Sequence, residues 1–158
     1  QGASLTSFEL NNEGVPNTIV VDSAAGLLMQ RKQIDLCIVG ADRVTSLGHV
    51  ANKIGTFLKA LTAKEFNIPF FVAIPTNTID WNIEHYKDIP IEERDGSELS
   101  KVSGLDEMKN LKTVCIYPQN SKVYNPAFDV TPNKFITSLI TNKGIIKPEK
   151  SEIEKLND

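Results

Sequence analysis

The stretch IDLCIVGADRVTSLGHVANKIGT, residues 34–56, decides the fold. Its apolar start predicts a buried strand, and the carboxylate of Asp42 follows as that strand ends. A glycine-containing loop then leads to a predicted amphipathic helix over residues 51–66, with Asn52 and Lys53 in its first turn. Ligands of open α/β sheets bind beyond the carboxyl ends of the strands. The stretch therefore predicts a small-molecule site, and its lysine favours a phosphorylated ligand.

The alternation of strands and helices continues along the chain. Predicted strands occupy residues 17–22, 34–40, 69–74 and 113–117, and predicted helices occupy residues 3–12, 24–32, 51–66 and 131–143. The run 34–40 is almost continuously apolar, which is typical of a central parallel strand buried on both faces. Residues 82–112 are polar and predict an irregular excursion with one extended piece, IPIEER. The predicted fold is therefore α/β, with a Rossmann-like, mostly parallel sheet flanked by helices.

Composition narrows the functional class. The chain has 158 residues, of which 41% are apolar and 23% charged, as expected for one soluble globular domain. Its net charge of -3 provides no general attraction to nucleic acid or to anionic membranes. Apolar runs fall short of a membrane span, and QGASLTSFEL at the N-terminus lacks the pattern of a signal peptide. A cytoplasmic protein is expected, and the missing initial methionine suggests a start inside a longer protein.

Neither the cysteines nor the glycines form a recognisable cofactor motif. Cys37 and Cys115 each lie in an apolar run, and their spacing matches no zinc or redox motif, so buried reduced thiols are expected. Metal ligands with suitable spacing are missing from the sequence, and neither G-x-G-x-x-G nor a Walker-type loop follows a strand. We therefore expect no metal and no cofactor.

Asp42 is the candidate acid/base residue. It is the first polar group after a buried strand, and partial desolvation there suits a carboxylate to proton transfer. The alternative is structural, because Asp residues at strand ends often cap turns, and Arg43 is a ready ion-pair partner.

Asn52 and Lys53 are the candidate ligand-binding pair. At a helix N-terminus, free backbone N–H groups and the helix dipole favour an anion, and Lys53 adds a charge suited to phosphate. The alternative is a solvated lysine beside an asparagine that satisfies the loop.

Other polar residues carry weaker indications. His49 and His85 are expected at the surface, because an isolated histidine in a loop is seldom catalytic. Asp129 is expected either to support the site or to pair at a subunit surface, and Phe128 is expected in the core. Within IPIEER, the sequence Glu92-Glu93-Arg94 predicts an internal ion-pair cluster.

Four motifs in fixed order resemble those of the methylthioribose-1-phosphate isomerase family: GADR, VANKIGT, IPIEER and NPAFDVTP. The opening QGASLTSFEL is similar to the family segment QGARLTAWEL, and the resemblance extends over residues 1–148. That family is related to the regulatory subunits of the translation initiation factor eIF2B and to ribose-1,5-bisphosphate isomerase.

The resemblance implies an aldose–ketose isomerase of methionine salvage, acting on 5-methylthioribose 1-phosphate without a cofactor. It implies that Asp42 is the general acid/base and that Gln1, Asn52 and Lys53 contact the substrate. It also implies a homodimer formed largely through this domain.

Departures from the family pattern are specific. The family's catalytic cysteine lies in a segment upstream of residue 1, and neither Cys37 nor Cys115 has its context. Ser4 stands where the family usually has arginine, and His49 stands where it usually has aspartate. We therefore expect a C-terminal catalytic domain over residues 1–148 with a charged tail over 149–158, inactive without the N-terminal half of the same protein.

Two related functions remain open from the sequence. A non-catalytic eIF2B-type regulatory subunit shares the fold, although retention of Asp42 favours the enzyme. Ribose-1,5-bisphosphate isomerase shares the reaction type and differs in requiring cations for a second phosphate.

Overall fold

A computed structural model describes residues 3–118 and 120–157. Within these ranges the helices are α1 (Leu5–Asn12), α2 (Ala25–Gln30), α3 (Thr56–Glu65), α4 (Ser97–Ser100) and α5 (Lys150–Glu154). The strands are β1 (Cys37–Val39), β2 (Arg43–Thr45), β3 (Val50–Lys53), β4 (Phe70–Ala73), β5 (Ile79–Asp80), β6 (Lys101–Leu105), β7 (Leu111–Cys115), β8 (Phe128–Thr131), β9 (Ser138–Thr141) and β10 (Gly144–Ile146). None of these helices has the length and apolar composition to cross a membrane.

The main sheet confirms the predicted α/β class. Its order is β1-β4-β9-β10, in which β1, β4 and β9 are parallel and β10 returns antiparallel. Phe70 and Val72 of β4 and Leu139 of β9 are fully buried at its centre. The predicted central position of strand 34–40 is wrong, because β1 has β4 as its one partner among the described strands and Ile38 is 58% exposed.

A second sheet, in the order β5-β2-β3-β8, lies where the sequence predicts the start of a helix. Residues 50–53 form β3, which pairs antiparallel with β2 and with β8. The helix begins only at Thr56, after Gly55 has turned the chain with a φ of 96°. Paired neighbours on both sides satisfy the backbone of β3, which outweighs the helical spacing of its side chains.

Two further predicted strands are not in the main sheet. Residues 17–21 contain no regular secondary structure and are exposed, although the sequence predicts a buried strand there. The strand predicted at 113–117 occurs as β7, but it pairs with β6 in a separate, fully exposed hairpin. The predicted excursion at 82–112 therefore contains β6 and only the first two residues of β7, and its polar composition conceals this start of a β-ribbon.

The helix predicted over residues 131–143 is wrong. Thr131 ends β8, a short 3-10 turn follows at Asn133–Phe135, and the chain then forms β9, a turn and β10. The β-branched residues of this stretch suit a strand, and β4 offers it a parallel partner.

Helices α1 and α2 agree with the sequence, and a further short helix forms in the tail. Helix α1 ends at Asn12 before Gly14, α2 follows the turn at Asp22–Ala24, and α5 lies in the charged tail. Ile153 and Leu156 of that tail belong to the buried core, so the tail packs against the domain despite its charge.

Candidate functional site

The carboxyl ends of β1 and β4 meet at one edge of the main sheet, because the two strands are parallel neighbours. The chain leaving β1 and the chain leaving β4 enclose an open crevice of about 330 Å³. Its lining consists of Asp42, Arg43 and residues 77–82. The crevice therefore occupies the position where sheets of this type bind ligands.

Asp42 lies in this crevice with its side chain exposed. Its main-chain N–H donates to Ala51 O at 2.9 Å, which fixes Asp42 beside the end of β3. The neighbouring guanidinium of Arg43 pairs instead with Asp80, at 3.1 Å. Arg43 therefore does not form the ion pair with Asp42 that the structural alternative proposed. The Asp42 side chain is exposed to solvent, whereas the sequence predicted that it would be partly desolvated.

Asn52 and Lys53 lie on β3, not in the first turn of a helix as predicted. The side-chain amide of Asn52 donates to Thr56 Oγ1 at 3.1 Å, and that hydroxyl donates to Lys53 O at 2.7 Å. Thr56 is buried, so the two bonds tie the end of β3 to the start of α3. The structure thus brings this pair beside the backbone of Asp42, although neither residue lines the crevice of Asp42.

Lys53 is exposed, and its Nζ lies 5.4 Å from the centroid of the Phe128 ring. Phe128 is half-buried, and the ammonium group of Lys53 lies over its ring. The predicted place of Phe128 in the core is therefore wrong. Among residues 3–118 and 120–157, no carboxylate forms a salt bridge with Lys53. Its charge is available to an anionic ligand.

Asp129 occupies the N-terminus of α3. Its Oδ2 accepts the N–H of Gly55 at 2.7 Å, and its Oδ1 accepts the N–H of Phe57 at 3.0 Å. Burial raises the pKa of Asp129, while the two backbone bonds and the charge of Lys59 act in the opposite direction. The anion site that the sequence assigns to a substrate phosphate is therefore filled by a carboxylate of the chain itself.

Asp22 and Lys59 adjoin this corner and were not identified from the sequence. Lys59 Nζ lies 2.6 Å from Asp22 Oδ1, beside the positive-φ Gly55. A side chain at Gly55 would approach both partners to 3.2 Å. Lys59 follows Gly55 by four residues, which is one helical turn. This spacing is the sequence signal that could have indicated that Lys59 lies near the start of α3.

The two cysteines differ from each other. Cys37 is half-buried, and burial raises the pKa of its thiol while Lys59 opposes the shift. Cys115 is exposed on β7, so its predicted burial is wrong. The prediction assumed that β7 belongs to the main sheet.

His49 is half-buried and links its loop to Asn133, whereas the sequence predicts a surface residue. Its Nδ1 accepts the main-chain N–H of Asn133 at 3.1 Å, and its ring meets Tyr86 edge-on at 5.5 Å between centroids. Burial lowers the pKa of His49, and the nearby His85 lowers it further. The bond requires an unprotonated Nδ1.

The predicted ion-pair cluster at residues 92–94 is replaced by a different pairing. Arg94 binds Glu98 at 2.6 Å, and Glu92 contributes only a longer-range attraction. The backbone of this segment instead binds the NPAFDVTP segment, through Ala127 N to Glu92 O and Arg94 N to Asn125 O, both at 2.9 Å. The IPIEER and NPAFDVTP motifs are therefore hydrogen-bonded to each other, and their contact holds the chain that leads into β8.

A larger cavity, of about 510 Å³, lies between α1 and residues 17–22. Among the described residues that line it, Asp22 is the titratable one, and the others are aliphatic, hydroxylic or, at Asn17, an amide. The smaller crevice carries the more reactive groups.

Within the described part of the chain, no group of three His, Cys, Asp or Glu side chains is arranged to hold a metal ion. The predicted contact Gln1 lies outside the described residues.

Comparison with known proteins gives consistent relatives. Methylthioribose-1-phosphate isomerase from Sulfurimonas denitrificans is 52% identical over 156 residues, covering 98% of this chain and 44% of that protein. The crystal structure of 5-methylthioribose 1-phosphate isomerase from Pyrococcus horikoshii OT3 matches with a TM-score of 0.88 and 41% identity, over 99% of this chain and 42% of that one. The crystal structure of translation initiation factor eIF-2B subunit delta from A. fulgidus matches with a TM-score of 0.86 and 43% identity, over 99% and 43%.

The chain thus spans less than half the length of the relatives that it matches. The family model for the initiation factor 2 subunit family matches residues 1–148. This match covers nearly the whole chain and agrees with both the sequence relatives and the solved structures. The chain therefore belongs to the initiation factor 2 subunit family.

Proposed function

We propose that this chain is the C-terminal part of an aldose–ketose isomerase that converts 5-methylthioribose 1-phosphate to 5-methylthioribulose 1-phosphate. The observation that carries the proposal is the exposed Asp42 carboxylate, in a crevice beyond the ends of two parallel strands, with Arg43 turned away to Asp80. Relatives about half identical to the chain carry the name of this isomerase. The proposal places the chain in methionine salvage, and so in amino-acid biosynthesis in the cytoplasm.

The reaction requires an acid/base group because the anomeric oxygen of the substrate carries phosphate. The sugar ring must open, and the hydrogen on C2 must then move to C1 to leave a ketone at C2. Asp42 is the general acid/base that helps protonate the ring oxygen and moves a proton during the transfer. Asn52, Lys53 and Gln1 bind the substrate, with Lys53 as the phosphate contact.

The chain is proposed to be inactive alone and to act with the N-terminal half of the same protein in a homodimer. Large apolar side chains are exposed over the first 40 residues and on α3. Such a surface is typical of a protein interface, which supports the proposal that other protein segments bury it. They are Leu5, Phe8, Val15, Ile19, Val20, Val21, Leu27, Leu36, Ile38, Leu58 and Leu61. The partners proposed are therefore protein and a small sugar phosphate, not nucleic acid or membrane.

The test is product formation by the longer protein that contains this chain. It is incubated separately with 5-methylthioribose 1-phosphate and with ribose 1,5-bisphosphate, and the ketose products are followed by ¹³C NMR. The proposal expects preferential turnover of the methylthio substrate. Preferential turnover of the bisphosphate would assign the chain to ribose-1,5-bisphosphate isomerase instead.

A second candidate function is a non-catalytic eIF2B-type regulatory subunit. The specific observation in its favour is the match to the eIF-2B subunit delta structure from A. fulgidus, which covers 99% of this chain at 43% identity, against 99% at 41% for the isomerase structure. Calorimetry of the longer protein with 5-methylthioribose 1-phosphate separates the two. Binding with turnover supports the isomerase, and absence of binding supports the regulatory subunit.

A further inference from the structure

We propose that Asp129 is a positioning residue for Asn52 and Lys53, and that its carboxylate takes the place of the substrate phosphate at the N-terminus of α3. The proposal rests on the proposed isomerase function for its activity readout. It assigns the phosphate to Lys53 and a sugar hydroxyl to Asn52.

The corner between β3 and α3 is fastened to β8 and the residue before it. Ile54 N–H donates to Ala127 O at 3.0 Å, and the N–H groups of Gly55 and Phe57 donate to the two carboxylate oxygens of Asp129. Asp129 also pairs in register with Asn52 across β3 and β8. One residue of β8 thus fixes both the strand that carries the binding pair and the helix that follows it.

The side chain that accepts the free N–H groups at the start of α3 must come from another strand, because the residues next to the helix cannot supply it. Gly55 stands at the N-cap position and has no side chain, and the amide of Asn52 is committed to Thr56. A carboxylate is favourable at the positive end of a helix, and Lys59 adds a compensating charge. Asp129 therefore stabilises the corner from 74 residues away along the chain.

This cap changes how a sugar phosphate can bind. The Gly55 and Phe57 N–H groups are already satisfied, and the charge of Asp129 repels a second anion from the helix end. Lys53, which is exposed and forms no salt bridge with any described residue, remains for the phosphate. Asn52 donates a side-chain N–H to Thr56, which leaves its Oδ1 as an acceptor, suited to a hydroxyl rather than to phosphate.

The experiment uses the longer protein with the substitutions Asp129→Asn and Asp129→Ala. Asn keeps the size of the side chain but accepts only one of the two N–H bonds. We expect Asp129→Asn to raise KM about tenfold with kcat within about threefold of wild type. Asn52 and Lys53 pair with β8 and shift when the Asp129 bonds are lost, whereas Ala51, which holds Asp42, is also paired with Arg43 of β2. Amide hydrogen exchange at Gly55 and Phe57 is expected to accelerate in the same variants.

A matched control is Asp106→Asn in the β6–β7 hairpin. Asp106 also caps two backbone N–H groups, those of Met108 at 3.0 Å and Asn110 at 2.8 Å, but it lies outside the site. We expect its KM to equal that of wild type. An equal rise in KM for Asp106→Asn and Asp129→Asn would show a general loss of stability and overturn the positioning role.

A double-mutant cycle distinguishes positioning from a merely structural effect. If Asp129 acts through Asn52 and Lys53, Asp129→Asn should add less than about twofold to the KM of a variant that carries both Asn52→Ala and Lys53→Ala. Full additivity, or an unchanged KM for both Asp129 variants, overturns the proposal. A wild-type protein that neither binds nor converts the sugar phosphate would instead refute the proposed function, whereas unchanged amide exchange with intact activity refutes only the role of Asp129.

Discussion

Individual residues of the site differ in how far the sequence reveals them. Asp42, Asn52 and Lys53 fall within one continuous stretch, so residue type and position after a strand were enough to identify them as candidates. Asp129 was identified only as a possible support, because its partners at Gly55 and Phe57 are more than 70 positions away. Pairing between distant residues depends on strand order, which a single sequence does not specify.

The first prediction concerns Asp42 as acid/base. Asp42→Asn in the longer protein should lower kcat by about 10³-fold, because the amide cannot exchange a proton with the substrate. The control is Asp35→Asn, an exposed carboxylate before the other end of β1. Steady-state turnover of both variants decides the matter, and near-normal kcat for Asp42→Asn would remove Asp42 from the mechanism.

At the scale of elements, tertiary pairing overrode local pattern in two places. The helical spacing of residues 51–66 is real from Thr56 onward, but residues 50–53 gain two antiparallel partners and become β3. The stretch after Thr131 has a proline at a position typical of a helix start, yet residues 138–141 add a parallel strand to β4. Helices α1 and α2 depend on local signals and were predicted close to their observed bounds.

The turn at Gly55 carries the second prediction. Gly55→Ala should lower the free energy of unfolding by about 1 kcal/mol or more, because alanine is strained at a φ of 96° and its Cβ crowds Asp22 and Lys59. Gly104→Ala is the control, since it has open space around it and no positive φ. Urea unfolding of both variants gives the comparison, and equal midpoints would contradict the strain at Gly55.

The third prediction concerns pH and the loop of His49. Folding lowers the pKa of His49 below the value of about 6.5 in an unfolded chain, so the folded state prefers the neutral ring that accepts the Asn133 N–H. Its contribution to stability is therefore complete above about pH 6.5 and is lost as the pH falls below that value. The groups facing His49 are His85 and Tyr86, and both are retained in the test.

The measurement is urea unfolding between pH 5 and pH 8 for wild type and His49→Gln, a range set by the titration of histidine. The wild type should lose more stability on acidification than the variant, because glutamine does not titrate. Identical pH dependence in the two proteins would show that the imidazole bond to Asn133 contributes nothing.

For the whole molecule, the sequence predicted the fold class but not the arrangement of its edges. The α/β class follows from alternating patterns, whereas β1 lies at an edge and residues 17–21 remain outside any sheet. Apolar residues in both places, such as Ile38 and Val21, face solvent. A pattern of apolar residues indicates that a surface is to be buried but does not identify what buries it, and this is why the sequence overestimated the burial of these segments.

The central claim is that this chain supplies the acid/base half of an isomerase site and needs the remainder of the protein for activity. Turnover of 5-methylthioribose 1-phosphate, measured side by side for the 158-residue chain and for the longer protein, tests it most directly. The account predicts ketose formation by the longer protein and none by the chain alone. Full activity of the isolated chain, or no activity in the longer protein, would contradict it.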